Sequence, residues 1–478
     1  MDKLIHNKAG FSTVEILVAM VIMILSVTAT ITLVFGSQSI IMDSETSSEA
    51  LSIAQELIEN AQADAKKDFA LVNPKAGVLQ DIIYTKSLKV ETLPDFFTKK
   101  VTSVVNWKGD RGKDLKVELT TLVIDLEGVN GGTTCNSVLS GDWSNPQLMG
   151  DVDVGENNGA TDVDVLLGKA YVTTDSAADI KHDFYVINIS NPNLSPLPIL
   201  GSTDASEDLT DPSNGVEAVH AAGDYAYVAN RSINGQLQII DISDPTNPAP
   251  ILTGQGFEIP GVTGPGIYGK SIFYKDGYIY LGLYNTATGP EFNIIDVTNP
   301  LIPVWKGGYS IGHDINAIYV RDEFAYIASP HDSELIILDV GNPNSPTLEG
   351  EIDLFNDSSN GRSIAIVGDT LYLGRTEDAS PPTDEFQLID ITDKSAPVSG
   401  TSKDIGSSIN AITIREDLAF MVTGDTNLEF QIWDLNTMLL YGSKDIQQTS
   451  TGAMDCEGNY IYIGQRSQQA LQIVGPGP

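Results

Sequence analysis

The chain has 478 residues, more than one ordinary core accommodates, so two or more domains are expected. Hydrophobic residues make up 41%, the share of a folded protein, while 64 acidic residues against 27 basic give a net charge of -37. A surface this acidic repels phosphate backbones and argues against nucleic acid as a partner, leaving divalent cations and basic surfaces open.

The first element in chain order is apolar. Ile16 to Phe35 carry no charge over twenty positions; as a helix they measure about 30 Å, one hydrocarbon thickness. Lys3 and Lys8 precede the run, which predicts a transmembrane segment with a cytoplasmic N-terminus and everything beyond Gly36 outside. One acid, Glu15, stands at its entrance, and the text around it reads KAGFSTVE. This resembles the type III signal of type IV pilins and pseudopilins, cut between Gly10 and Phe11, with a Glu at the fifth position of the mature chain. The resemblance implies a 1–10 leader removed by a prepilin peptidase, N-methylation of Phe11, and pairing of Glu15 with the Phe11 ammonium of a neighbouring pilin subunit. Such a partner offsets a carboxylate's cost inside a bilayer, on the order of 2.5–3.5 kcal/mol at a helix centre. A secretory signal cut after Ala29 is the competing reading.

Between Ser37 and Ala76 there is no Gly, and Ala50, Ala54, Leu57, Ala61 and Ala65 with Ile53 and Ile58 mark one apolar stripe at helical spacing. One long helix over 11–67 is therefore expected, membrane-spanning in its first half and amphipathic in its second. Val101 to Trp107 and Leu115 to Ile124 flank a Gly-Asp-Arg-Gly turn and predict a hairpin. It resembles the hairpin of small minor pilins, which places a small pilin-like α+β domain at 68–132 and a linker at 133–143.

From 144 to 478 the sequence repeats. QIIDISDPTNPAPILTG, NIIDVTNPLIPVWKG, LIILDVGNPNSPTLEG and QLIDITDKSAPVSGT are one phrase, preceded in each unit by a strand such as YAYVA or YIYLG. The aligned positions Asn188, Asp241, Asp296, Asp339, Asp390 and Asp434 recur every 43 to 55 residues, the period of a four-stranded propeller blade. The last unit stops after three strands, and SNPQLMGDVDV at 144–154 has no first half of its own. It is expected to close the final blade, giving an all-β seven-bladed propeller without open edges. The phrase resembles that of LVIVD-repeat propellers of bacterial surface proteins. Its Asp and Pro residues are read as turn formers.

Cys135 and Cys456 belong to no CxxC cluster, so zinc is not indicated. They either remain free thiols or form a disulfide fastening the ring near its closing strand. The start of each innermost strand carries Thr161, Glu217, Lys270, Asn316, Arg362, Asn410 and Gly452, a ring expected around the channel mouth. Glu217, Lys270, Asn316, Arg362 and Asn410 are either ligand contacts or, for the charged ones, an internal ionic network. No histidine spacing indicates a metal, and DASEDLTDPSNGVE at 204–217 lacks the order of a calcium loop, leaving calcium or a solvated acidic loop as alternatives.

No nucleophile elbow, phosphate loop or dinucleotide fingerprint is present, so an enzyme is not expected. The expected function is a minor pilin or pseudopilin of a type IV pilus or related filament. It would start as a single-pass inner-membrane precursor with an extracytoplasmic propeller and then reside in the pilus or at the cell surface. There the propeller would serve adhesion or bind a surface ligand or protein. A membrane-anchored propeller scaffold and a tethered propeller hydrolase are the alternatives.

Overall fold

The computed structural model describes Met20, Met23, residues 44–67, 72–80, 84–92, 98–108, 114–124, 135 and 139–478, the last span apart from loop segments at 156–157, 176–181, 206–214, 255, 263–266, 287, 331–332, 355–358, 379–383, 447–449 and 468. The chain divides into two units, 1–125 and 126–478.

In the first unit, helix α1 (Ser44–Lys67) lies on a four-stranded antiparallel meander of Lys75–Gln80, Tyr84–Thr92, Thr98–Lys108 and Asp114–Ile124. The apolar stripe faces the sheet. Ala50, Ile53 and Ala54 pack with Tyr84, Val105 and Trp107, and Ala61 packs with Leu88, Val101 and Val123. Across the hairpin Trp107 stands opposite Leu115.

The fold expected for the N-terminal part needs correction. The described helix is α1, 24 residues long, and among the described residues no helix is long and apolar enough to cross a membrane. The physical reason is composition: Glu45, Glu49, Glu56, Glu59, Asp64, Lys66 and Lys67 make α1 far too polar for a hydrocarbon core. Apart from Met20 and Met23, the Ile16–Phe35 run lies outside the described residues. The long transmembrane helix, and with it the inner-membrane single-pass placement, is therefore withdrawn.

The second unit is built of seven four-stranded antiparallel sheets. Their innermost strands are Ala160–Leu166, Val216–Ala222, Gly269–Lys275, Ala317–Arg321, Gly361–Val367, Ile409–Arg415 and Ser450–Glu457. Each sheet is apolar on both faces because each face meets a neighbour. Phe292 and Ile294 of the third blade pack with Ile318, Ile327 and Ile336 of the fourth, and Leu471 and Ile473 of the last pack with Val163, Val172 and Ile187 of the first. Successive blades thus share cores, and the stacking returns to its start.

The last sheet is completed from the other end of the unit. Asp142–Val152 pairs antiparallel with Leu471–Gly477, Val152 opposite Leu471 and Leu148 opposite Val474. This strand begins at Asp142 where Ser144 was expected and ends at Val152 where Val154 was. Trp143 anchors it, buried edge-on against Phe420 at 5.0 Å between ring centroids.

A disulfide joins Cys135 to Cys456, their Cα atoms 5.1 Å apart. Because it ties the segment before the closing strand to the innermost strand of the last blade, it supplements a closure otherwise made by hydrogen bonds. Cys135→Ser is expected to cost the propeller about 2–4 kcal/mol. Urea unfolding of both proteins under oxidising conditions checks this; equal midpoints would show that the bond adds nothing.

Candidate functional site: the channel mouth

Strand direction sorts the loops. In every blade the first and third strands start, and the second and fourth end, on one face of the ring, so the shared phrase turns all lie on the other. There the repeat residues close turns. Asp241 Oδ1 accepts the Ser243 amide at 2.9 Å and hydroxyl at 2.6 Å, and Asp296 with Thr298, Asp390 with Thr392, and Asn188 with Ser190 do the same. The face carrying the blade-specific residues is the opposite one.

On that face the channel opens into a cavity of about 660 Å³ whose lining includes all seven ring positions, Thr161, Glu217, Lys270, Asn316, Arg362, Asn410 and Gly452. Their chemistry differs around the ring. The Glu217 carboxylate accepts hydrogen bonds from the Arg231 guanidinium and, at 2.8 Å, from the Tyr284 hydroxyl. Burial works to lower the Arg231 pKa, but Glu217 outweighs it and the net shift is upward. Lys270 Nζ lies 2.7 Å from Asp314 Oδ2 and 4.7 Å above the centre of the Tyr284 ring, while Asp314 Oδ1 accepts the Asn285 amide at 2.8 Å. Asn316 donates to the Gly361 carbonyl at 2.6 Å. At Gly452, φ is +96° and a Cβ would stand 3.1 Å from the Asn410 carbonyl oxygen, so a side chain there would be strained.

Arg362 differs from the rest. Half-buried, it is paired with none of Glu217, Asp314 or any other described residue. Burial, and after it the charge of Arg466, lowers its pKa. The expected network joining Glu217, Lys270 and Arg362 is thus two separate pairs with Arg362 outside both.

The partners come from positions the repeat pattern left unmarked. Arg231, Tyr284, Thr376 and Arg466 follow the second strand directly, Pro330 stands two residues beyond it, and together they form a second ring beside the first. Their register is fixed by backbone bonds, Arg231 N to Gly215 O at 3.1 Å and Thr376 N to Asn360 O at 3.0 Å among them. The signal was available: each ends a YIYLG-type phrase.

Below the mouth, the innermost strands carry half-buried acids. Asp162 accepts the Val163 and Val219 amides at 2.9 Å, Asp164 accepts the Ala221 amide at 2.7 Å, and Asp455 accepts the Val165 amide at 2.6 Å, stitching the last, first and second blades together. Burial pushes Asp162 up to about 7 and raises Asp164 and Asp455 as well, the last also through the charge of Asp164.

Gly10, Phe11 and Glu15 lie outside the described residues, as does most of the 204–217 acidic loop. His182 contacts Asp204 at 3.2 Å on the exposed surface, and His220 packs on Phe273 at 5.1 Å between ring centroids. The metal-ligand types that converge among the described residues are Cys135, Asp455 and Cys456, and the two sulfurs are bonded to each other.

Two stretches, 215–253 and 314–353, match the LVIVD repeat family model. Among solved structures, the WD40 β-propeller domain of Doa1 aligns with a TM-score of 0.50 at 11% identity, over 70% of this chain and 98% of that one. A computationally designed protein, Ika8, aligns at 0.46 with 12% identity over 69% and 99% of the two chains, and the mitotic checkpoint complex at 0.46 with 12% identity over 71% and 92%. At 11% identity the likeness to the Doa1 domain concerns the fold alone. No curated protein matches the chain in sequence. The chain carries a β-propeller scaffold with LVIVD repeats.

Proposed function

We infer that the propeller is a binding module and that the chain carrying it is a minor pilin or pseudopilin of a type IV pilus or related filament. The observation that carries the binding reading is the separation of faces: shared turns on one, a polar cavity lined by blade-specific side chains on the other. Among the described residues the Tyr284 hydroxyl does bond the Glu217 carboxylate, but Arg231 pairs with that same carboxylate and weakens it as a base, which favours recognition over turnover. The filament reading is supported by KAGFSTVE and, later in the chain, by helix α1 laid on a four-stranded meander. A propeller of this bulk at every filament position would crowd its neighbours, so low copy number or a tip position follows.

The test is incorporation. In a filament-producing host the wild-type chain is expected in sheared filaments at low stoichiometry, while Glu15→Ala is made and processed but depleted from them at least tenfold. Wild-type chain found in cells yet absent from filaments would overturn the filament reading and leave the binding reading untouched.

A further inference from the structure

The mouth is unevenly neutralised. On one side Glu217 is matched by Arg231 and Lys270 by Asp314. On the other, blade five presents Arg362 and blade seven Arg466, both lining the cavity, and among the described residues neither guanidinium has a hydrogen-bond or ion-pair partner. In a chain of net charge -37 carboxylates are abundant, so two neighbouring cations left unmatched are a feature of the site rather than of composition. Arg362 is half-buried and Arg466 exposed, and the charge of Arg466 acts on Arg362; like charges so placed repel, and an oxyanion between them relieves the cost with charge-assisted hydrogen bonds.

The groups beside them are donors without charge. The Asn360 side chain has no partner among the described residues, and Thr376 Oγ1 accepts the Asn360 amide at 2.8 Å, which leaves its hydroxyl hydrogen to donate. Asn410 of blade six lines the wall of the same cavity. Two guanidiniums plus amide and hydroxyl groups match a carboxylate carried on a polyhydroxyl frame. The volume, about 660 Å³, holds a short oligosaccharide end.

We propose that Arg362 and Arg466 form an oxyanion site in the channel mouth that takes the carboxylate of an acidic saccharide, with Asn360 and Thr376 reading the adjacent hydroxyls. This rests on the channel mouth being the binding face.

The experiment is calorimetry on the full-length protein with three probes: trigalacturonate, neutral maltotriose and an Asp/Glu tripeptide. Trigalacturonate is expected to bind the wild type, at least tenfold more weakly to Arg362→Gln and to Arg466→Gln, and with affinity falling as salt rises. Maltotriose and the tripeptide are expected to bind at least tenfold more weakly than trigalacturonate. Circular dichroism melts of the variants establish that they are folded. No trigalacturonate binding, or binding that both substitutions leave unchanged, overturns the proposal. Maltotriose binding that is lost in Asn316→Ala or Asn410→Ala but indifferent to the arginines overturns it while sparing the binding-face reading. Tripeptide binding as tight as trigalacturonate, with the same arginine dependence, overturns the saccharide class alone.

Discussion

Arg375→Met should destabilise the propeller by about 3–5 kcal/mol, the cost of stranding a buried charge. Arg375 ends the second strand of blade five and is 0% exposed; Glu334 precedes the third strand of blade four at 2%. The guanidinium lies 2.7 Å from Glu334 Oε1 and also donates to the Leu354 carbonyl at 3.3 Å and the Asp384 carbonyl at 3.1 Å. Glu334 Oε2 accepts the Leu354 amide at 2.8 Å, so the pair holds the loop that follows the fourth strand of its blade. Burial raises the Glu334 carboxyl and Arg375 works against that rise, which identifies the charge left uncompensated when the arginine goes. Adding Glu334→Gln, which keeps an acceptor for Leu354, should recover more than half of the loss. Chemical denaturation of the two single variants and the double variant decides; additive losses would mean that the two residues act independently.

The second large effect is on pH. Desolvation pushes the Asp162 carboxyl up to about 7 in the folded state, and Asp164 and Asp455 are displaced in the same direction. In the unfolded chain all three return to about 3.9. Below that value both states hold the protons and the contribution to stability is complete. As pH rises toward 7 the unfolded carboxylates ionise freely while the folded ones cannot, so stability falls by about 1.4 kcal/mol per pH unit for each such group and levels off above the folded values. The turn acids Asp244, Asp390, Asp393 and Asp434 are shifted down by their side-chain and backbone hydrogen bonds, so their loss is confined to pH below the ordinary aspartate value. The propeller should therefore be more stable at pH 4.5 than at pH 8, and Asp164→Asn should flatten the profile and stabilise the protein at pH 8 by at least about 1.4 kcal/mol. Urea midpoints at pH 4.5, 6 and 8 measure it; stability rising over this range would contradict the assignment.

How much of this could be read beforehand follows from where each property resides. Blade number and register were legible because Asp241, Asp296 and Asp390 each close the same local turn, and a local turn is written within a few residues. The ring from Thr161 to Gly452 was legible for the same reason, each member sitting at a fixed offset from a repeated strand. Its chemistry was not, because Glu217 finds its partners at Arg231 and, in the next blade, at Tyr284, while Lys270 finds Asp314 in the blade after its own. Those pairings depend on loops that differ between copies.

A second unread feature is the buried acid before the third strand of five blades, Asp183, Glu291, Glu334, Glu385 and Glu429, where blades two and seven carry Gln236 and Ala470. Glu291 accepts the Ile311 and Gly312 amides at 2.9 Å, Glu385 the Ile405 amide at 2.9 Å, and Glu429 the Ile446 amide at 3.2 Å. PEFN, DEFQ and LEFQ spell it, but a Glu beside a strand also reads as surface. The apolar run at Ile16–Phe35 shows the opposite failing: its hydropathy, joined to the Gly-free stripe beyond it, extended the helix to 11–67, whereas the described one is the polar α1, Ser44–Lys67.

The filament assignment depends most directly on the N-terminus. Peptide mass analysis of the protein made in its own host should find a chain that begins at N-methylated Phe11, leaving Glu15 at the fifth position. A chain that begins at Met1, or after Ala29, would contradict the filament reading and leave a propeller whose channel mouth alone carries the function.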